Sequence, residues 1–580
     1  MSPGENLRDL ARRIDLAEVP LTIAGSRLFV LARGSALDIH EARYEVPLED
    51  CRVATGLVVR DQDGGLRHWS VPDPCRICWG ENGPWLTLTP EGGAVLGRLP
   101  RGWSVHLEAV EERTGLAVLQ GQVVRTPDGG LVVRALSPGA GLVITPRTVA
   151  TSAPADAQVA ADEALREQVG HNLETVDAWM RRCPEVLAEH RSTARLCWWV
   201  LGVNTLRLGG AVTGRAVVPS KLGYVGLWQW DAYFIAIGLR HGDPELAAEQ
   251  LRLALSCQQA DGQLPDVVHE AGVLASSRDL PPADLASLRA LGTAGAEDRP
   301  VPLTKPPLTA LAIELVDACH PEDLITQMGP AVRRSQQWWF ERCDPRCLGV
   351  PTYLHPYSSG LDDSPVFGAG TPIESPDLSA YLCLQDTILA RWSARAGQER
   401  EAASHLERAE RLRRRLEECG ADRRFIPAVG PHGPSPSLTV VSLMPLLVPG
   451  LDHRTREAIL ALLDRPEDFG ARGGGAAVPT VAPCDPAFDP QRMWRGPVWV
   501  NTNWLVARGL RTQGMERRAR DLEAATLRLV TGAGGPVEYI DPVTGRRPTG
   551  ASTCFGWSAA LFIDLAVTAR REATCAPGSS

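Results

Sequence analysis

Phe555-Gly-Trp-Ser-Ala-Ala-Leu-Phe-Ile-Asp-Leu-Ala566 is apolar nearly all the way round a helix, and Val498–Ala507 is similar. Met515–Val530 differs: its apolar residues form one stripe through Ala519, Leu522, Thr526 and Leu529, and the rest of it is charged. A helix with no polar face has to be covered on every side, whereas a one-striped helix covers a neighbour and faces water. Helices of these two kinds account for the chain from residue 161 onward. They are read at about 161–181, Leu196–Leu206, Trp230–His241, Pro244–Gln259, Pro307–Cys319, 321–342, 377–396, 398–419, 438–448, 454–464, 498–512, 515–531 and 555–571. Inner, fully covered helices alternating with outer, half-wet ones predict two concentric rings, an α/α barrel, over residues 161–572, with 573–580 as a tail. The long loops between helix pairs would crowd one end, and the unusual residues lie in those loops.

Upstream the periodicity changes. Residues 17–148 hold short alternating or β-branched runs, among them Arg27–Leu31, Arg52–Arg60, Trp85–Thr89 and Trp103–Glu111. Gly121–Arg125 and Leu131–Ala135 read as a hairpin joined through Pro127-Asp-Gly-Gly130. The expected architecture is therefore multidomain: an all-β sandwich over 1–150, a linker over 151–160 and the all-α barrel. A chain of 580 residues is too long for one core in any case.

The net charge of −9 argues against nucleic acid or an anionic membrane as main partners. No run is long and apolar enough for a span and the start lacks a signal-like core, so a cytoplasmic protein is expected. The fourteen cysteines are scattered, and several lie in apolar helical contexts where a free thiol acts as a small hydrophobe. Cys75-Arg-Ile-Cys78 is one pair without the two further ligands that structural zinc needs, so neither a metal nor another cofactor is expected. The twelve histidines show no ligand spacing. No phosphate loop or nucleophile elbow is present. Twelve of the sixteen tryptophans follow residue 160, which places the aromatic surface in the helical region.

Four loop stretches carry candidate chemistry. His355-Pro-Tyr-Ser-Ser-Gly-Leu-Asp-Asp-Ser-Pro365 sets Asp362 and Asp363 beside Tyr357 and Gly360. Lys221–Phe234 holds Trp228-Gln229-Trp230-Asp231, a stacking surface with a hydrogen-bond acceptor that suits a sugar ring, although Asp231 also suits the start of a helix. Gln258–Pro265, which contains Gln259, and Lys305-Pro-Pro307 read as a turn and a helix start. Trp494–Trp504 brings Arg495, Trp499 and two amides, Asn503 among them, and Gly534–Gly545 sets Glu538 between two turns.

Taken in order, Trp228–Asp231, Gln259 with Gly262 and Pro265, Pro306-Pro307, Ser359–Pro365, Trp494–Trp499, and Glu538 through Gly545 to Phe555-Gly-Trp557 resemble the inverting α-glycosidases of the trehalase and processing-glucosidase clan. Within it they resemble the group with the mannosylglycerate and glucosylglycerate hydrolases, glycoside hydrolase family 63. The resemblance covers about residues 195–570 and implies an (α/α)6 barrel. It further implies Asp362 as general acid and Glu538 as general base, with Trp228, Gln229, Trp230, Asp231, Gln259, Tyr357, Gly360, Arg495, Trp499, Asn503 and Trp557 around the substrate. Inversion asks for carboxylates roughly 6.5–9.5 Å apart, to leave room for water.

The chain departs from the family pattern near the acid. Tyr357-Ser358 stand where Trp-Glu is usual, Asp363 where Asn is usual, and Val366-Phe-Gly368 where Arg-Trp-Asp is usual. In the β region, Leu28–Gly34 and Gly56–Asp61 faintly resemble the accessory domain of bacterial amylo-α-1,6-glucosidase-like debranching proteins. The expected activity is removal of a terminal α-linked glucose or mannose from a small glycoside or oligosaccharide. The alternatives are a debranching-type α-1,6-glucosidase and a catalytically silent sugar-binding relative. A histidine-based sugar epimerase would have only His269 and His355 to work with. A homo-oligomer is left open.

Overall fold

The computed structural model describes residues 3–80, 83–90, 93–112, 114–136, 140–145, 162–209, 212–282, 284–286, 300–421, 423–470 and 476–575. The expected linker at 151–160 lies outside them. The chain divides into two compact units: Met1–Cys183 with Trp198–Arg207 and Val217–Val225, and Pro184–Cys197 with Leu208–Ala216 and Gly226–Ser580.

The first unit is rich in β-sheet. Its strands are β1 (Leu28–Arg33), β2 (Ala36–Glu41), β3 (Arg52–Arg60), β4 (Leu66–Arg67), β5 (Ser70–Asp73), β6 (Arg76–Cys78), β7 (Trp85–Leu88), β8 (Ala94–Leu99), β9 (Ser104–Leu107), β10 (Ala109–Val110), β11 (Gly115–Leu119), β12 (Gly121–Arg125), β13 (Leu131–Ala135) and β14 (Ala140–Thr145). One antiparallel sheet runs β1-β2-β3-β9-β13-β12, with β4 and β10 also on β3; a second runs β11-β14-β8-β7-β6-β5. The expected hairpin is β12–β13, in register from Gly121↔Ala135 to Arg125↔Leu131. Buried side chains come from alternate strand positions, such as Leu57 and Val59 in β3 and Val105 and Leu107 in β9. Lys221 ties segment 217–225 into this unit: its buried ammonium donates to Thr22 Oγ1, Ile23 O and Ser26 O at 2.9, 2.9 and 2.6 Å. Two helices also belong here, α1 (Pro3–Ala11), which the sequence reading did not anticipate, and α2 (Asp162–Met180), which it had assigned to the barrel.

After α3 (Arg191–Val203), the second unit is built on α4 (Gln229–Leu239), α5 (Pro244–Ser256), α6 (Thr309–Asp317), α7 (Leu324–Arg342), α8 (Pro376–Arg395), α9 (Glu399–Gly420), the 3-10 helix Val440–Leu447, α10 (His453–Asp464), α11 (Val500–Thr512), α12 (Glu516–Gly532) and α13 (Gly556–Cys575). Their packing follows the two sequence characters. All eleven residues of α4 are buried, whereas the twenty-two-residue α9 buries only Ala402, His405, Ala409, Leu412 and Leu416. Helix α4 packs on α5, α6 and α13; α6 on α7 and α8; and α8 on α9 and the 3-10 helix. That helix packs on α11, α11 on α12 and α13, and α13 returns to α4. Outer helices start on side-chain caps: the carboxylates of Asp243, Asp323 and Asp452 accept from Leu246 N, Thr326 N and Thr455 N.

Two stretches depart from expectation. The helix expected at 438–448 is a 3-10 helix, because Pro445 lies inside it and supplies no N–H for an α-helical bond. The helix expected at Leu196–Leu206 ends at Val203, and strands Thr205–Gly209 and Val212–Val217 follow. No helix among the described residues is long and apolar enough to cross a membrane.

Candidate active site

The loop bearing the two aspartates starts with one 3-10 turn, Pro356–Ser359. His355 opens it by accepting from Tyr357 N at 3.1 Å, and Ser359 Oγ donates to Pro356 O at 2.7 Å. Gly360 closes it in the left-handed region, φ +68°. Glycine is required twice over. A side chain is strained at that φ, and a Cβ there would run into the Trp230 indole, with Cε2 and Cη2 only 2.5 and 2.6 Å away.

Asp362 and Asp363, though adjacent, are used differently. Asp363 is a fastener: Oδ1 accepts from Trp494 N at 2.9 Å, Oδ2 accepts from Arg492 Nε at 2.9 Å, and Arg495 Nε is 3.8 Å away. Asp362 is 29% exposed, its buried Oδ1 has no hydrogen-bond partner, and Lys305 Nζ is 3.9 Å from that atom. Burial pushes the Asp362 carboxyl up to about 6; Lys305 opposes the shift, and the charges of Asp363 and Asp284 add to it.

Lys305 comes from the Lys-Pro-Pro stretch that the sequence reading took as a helix start. Its ammonium donates to Tyr357 O at 2.7 Å and lies 3.1 Å from Asp266 Oδ1. Burial works against the ammonium, yet Asp266, Asp362 and Asp231 together hold its pKa above the ordinary lysine value. Asp266 was not singled out from sequence, although it directly follows Gln263-Leu-Pro265. Backbone pairing places it: Trp228 pairs with Val267, and Gln229 N donates to Asp266 O at 3.1 Å, which sets Asp266 against the first turn of α4. Asp231, in that turn, is buried, and burial raises its pKa well above the usual range, with Lys305 opposing and Asp266 and Asp362 reinforcing.

The aromatic wall is assembled from distant segments. Trp494 and Trp499 stack with centroids 3.7 Å apart and planes 6° apart; Trp557 lies edge-on to Trp499 at 5.4 Å and to Trp230 at 5.5 Å. Glu538 joins through its neighbours. Val498 and Ile540 exchange backbone hydrogen bonds at 2.8 and 3.0 Å, and Tyr539 lies 4.9 Å from the Trp499 ring. The Glu538 side chain is buried, and Oε2 accepts from Ser552 N at 2.8 Å. Several buried polar atoms of this wall, Trp494 Nε1, Trp557 Nε1 and Arg495 Nε, meet no protein hydrogen-bond partner.

Two of the residues expected to touch substrate are spoken for elsewhere, and a third stands in an exposed turn. Both ends of the Asn503 amide are consumed: Oδ1 accepts from Val478 N at 2.7 Å, and Nδ2 donates to Val478 O and Trp499 O at 2.8 and 2.9 Å. Gln229 donates to Ala254 O at 2.9 Å and accepts from Tyr233 at 2.8 Å. Gln259 is exposed in the turn after α5 and donates to Cys257 O at 3.2 Å. By contrast Trp230, Asp231, Tyr357, Gly360, Arg495, Trp499 and Trp557 join the cluster, and Trp228 is the half-buried residue before α4. Among the described residues no group of three or more His, Cys, Asp or Glu side chains is arranged to hold a metal ion; the acidic groups here converge on Lys305. His355 is held neutral, its pKa lowered to about 3 by burial and by Lys305.

A helical unit carrying an acid of raised pKa beside a tryptophan wall is that of a glycoside hydrolase. The chain belongs to the mannosylglycerate hydrolase MGH1-like glycoside hydrolase domain family, whose model matches residues 224–558. It is 28% identical over 418 residues to a mannosylglycerate hydrolase of Thermus thermophilus, covering 60% of this chain and 96% of that protein. It is 25% identical over 434 residues to a glucosylglycerate hydrolase of Mycolicibacterium hassiacum, covering 62% and 95%. Among solved structures, a family 63 mannosylglycerate hydrolase from Thermus thermophilus in complex with glucose superposes with a TM-score of 0.52 at 26% identity, over 63% of this chain and 98% of that one. A bacterial glucoamylase complexed with acarbose shares the fold at 10% identity, with a TM-score of 0.53 over 94% of this chain and 92% of that one.

Proposed function

We propose that this chain is an inverting α-glycosidase that removes a terminal α-linked glucose or mannose from a small glycoside, with Asp362 as general acid and Glu538 as general base. The observation that carries the reading is the contrast between adjacent carboxylates: Asp363 is committed to Trp494 N and Arg492, whereas Asp362 has an unpartnered Oδ1 and a pKa near 6, which suits a proton donor. Asp362 gives its proton to the glycosidic oxygen as the bond from that oxygen to the anomeric carbon breaks. Glu538 takes a proton from water, whose oxygen bonds to the anomeric carbon on the opposite face. The acid ends ionised, the base ends protonated, and exchange with solvent resets both.

The closed cycle of packing through α4, α6, α8, the 3-10 helix, α11 and α13 supports reading the second unit as an (α/α)6 barrel, and the two antiparallel sheets of the first support a sandwich. The half-buried Trp228 supports the reading as an apolar surface for a sugar, backed by the packed rings of Trp230, Trp499 and Trp557, with Asp231 and Arg495 among the polar groups nearby. The relatives' names motivate glycerate glycosides as first substrates. The scattered cysteines favour a cytoplasmic enzyme.

The test is a proton NMR time course with pooled trehalose, kojibiose, isomaltose, glucosylglycerate and mannosylglycerate, read in the anomeric region before mutarotation. First release of the β-anomer is expected. First release of the α-anomer overturns the paired-carboxylate mechanism, and silence across the pool rejects the small-glycoside substrate in favour of larger oligosaccharides or a binding role.

A further inference from the structure

One ammonium serves three carboxylates here, and it serves them unequally. Lys305 Nζ is 3.1 Å from Asp266 Oδ1 but 3.9 Å from Asp362 Oδ1, and another of its N–H groups is taken by Tyr357 O at 2.7 Å. Asp266 and Lys305 are almost fully buried, with side chains 1% and 6% exposed. Coulomb energy rises as separation falls, and in a buried site little solvent weakens it, so the nearer carboxylate takes the charge. Three ionised aspartates around one ammonium would leave an excess of two negative charges in a low-dielectric site, so protons remain on the carboxyls that the ammonium does not touch.

We propose that Lys305 and Asp266 form a counter-ion pair that holds the ammonium off Asp362, which makes Lys305 a positioning residue for the proton donor and Asp266 the anchor that keeps Lys305 in place. The proposal rests on Asp362 being that donor. Charged and titratable groups face Asp362 from each neighbouring segment. Lys305 does so ahead of α6, Asp266 ahead of strand Val267–His269, Asp231 from α4, and Asp284 from 284–286. His355, Tyr357 and Asp363 lie on its own loop, the last engaged by Arg492. Lys305 is the cation among them directed at Asp362, and Asp266 is the carboxylate that competes for it at hydrogen-bonding distance. A neutral side chain in place of Lys305 would take the cation away from both Asp266 and Asp362. Without Asp266, the ammonium would be free to swing to Asp362 and strip its proton at lower pH.

The two substitutions therefore have opposite signs, which loss of packing does not produce. Lys305→Met should move proton loss from Asp362 upward by about one pH unit or more, and Asp266→Asn should move it downward by a similar amount. Two readouts report it: the alkaline limb of kcat/KM against pH, and carbon-13 NMR of protein labelled at the aspartate carboxyls, with the Asp362 resonance assigned by its absence from Asp362→Asn. Shifts in the same direction, or no shift in either variant, overturn the proposal. Thermal unfolding identifies a variant that does not fold. If Lys305→Met is one, an unmoved or raised value in Asp266→Asn overturns the idea by itself, and Lys305→Arg should keep the wild-type limb. The NMR readout needs no turnover, so a protein that cleaves nothing would refute the proton-donor reading while the pair is still judged.

Discussion

Gly360→Ala puts the placement of the acid to a quantitative test. The residue sits at φ +68°, where a non-glycine side chain costs about 1–2 kcal/mol. Its new methyl would overlap the Trp230 indole, whose Cη2 would be 2.6 Å away. Trp230 is buried between Trp494, Trp557 and Phe234, with centroids at 6.1, 5.5 and 5.8 Å, so it has no free direction of retreat. Overpacking of that kind costs about 1–3 kcal/mol. The sum, about 2–5 kcal/mol, corresponds in a unit of this size to a fall in Tm of roughly 3–6 °C. Asp362 follows two residues later, and a misplacement of about 1 Å at a reacting group costs on the order of a hundredfold in rate. Calorimetry and kcat/KM should therefore fall together, with a change in near-ultraviolet circular dichroism from the tryptophan cluster. Gly368→Ala is the control on the same loop, since a Cβ there meets nothing within 4 Å. A Gly360→Ala protein within about 1 °C and threefold of wild type would refute the close-approach argument.

Asp362→Asn and Glu538→Gln should each abolish turnover while the protein stays folded; near-normal activity in either would sink the assignment. Stability should respond as well. The folded Asp362 pKa, about 6, lies above the ordinary 3.8, so ionisation weakens the native state, and stability present at pH 4 is lost as pH rises through 6. Asp362→Asn should thus gain on wild type between pH 4 and pH 7, by about 2 kcal/mol once partial exposure is allowed for, as read by Tm against pH. Asn503→Ala should lower stability by about 2 kcal/mol or more, because Val478 loses both its bonds, with KM moved less than twofold; a large KM change would return Asn503 to the substrate. Asp564 pairs with Arg240 and His241, both at 2.8 Å, and accepts from Trp504 Nε1 at 2.7 Å, so Asp564→Asn should destabilise by about 3–5 kcal/mol in denaturant unfolding.

Helices were readable from residue 161 onward because burial imposes a period on apolar residues, and the contrast between α4 and α9 is the clearest case. The 3-10 helix Val440–Leu447 reads as an α-helix in sequence because apolar content looks alike in both helix types. The site divides along a different line. Trp230, Trp499 and Asp362 announce themselves by residue type in a loop-rich setting. Asn503 and Gln229 carry the same letters a sugar ligand would want, but their amides are used up by backbone groups distant in sequence. Lys305 and Asp266 matter only through one another, and 39 residues separate a turn-like Pro-Asp from a helix-start Lys-Pro-Pro. Charge pairing across such a distance has no local period to betray it.

The Asp363 tie has a consequence for divergence. It fastens the loop of Asp362 to Trp494, Trp494 lies flat on Trp499, and Val498 pairs with Ile540, two residues from Glu538. In the proposed mechanism, donor and acceptor are thus gauged against one stacked aromatic pair rather than by the sugar. Under the proposed mechanism, residues on the leaving-group side can change while that tie keeps the handedness of the product.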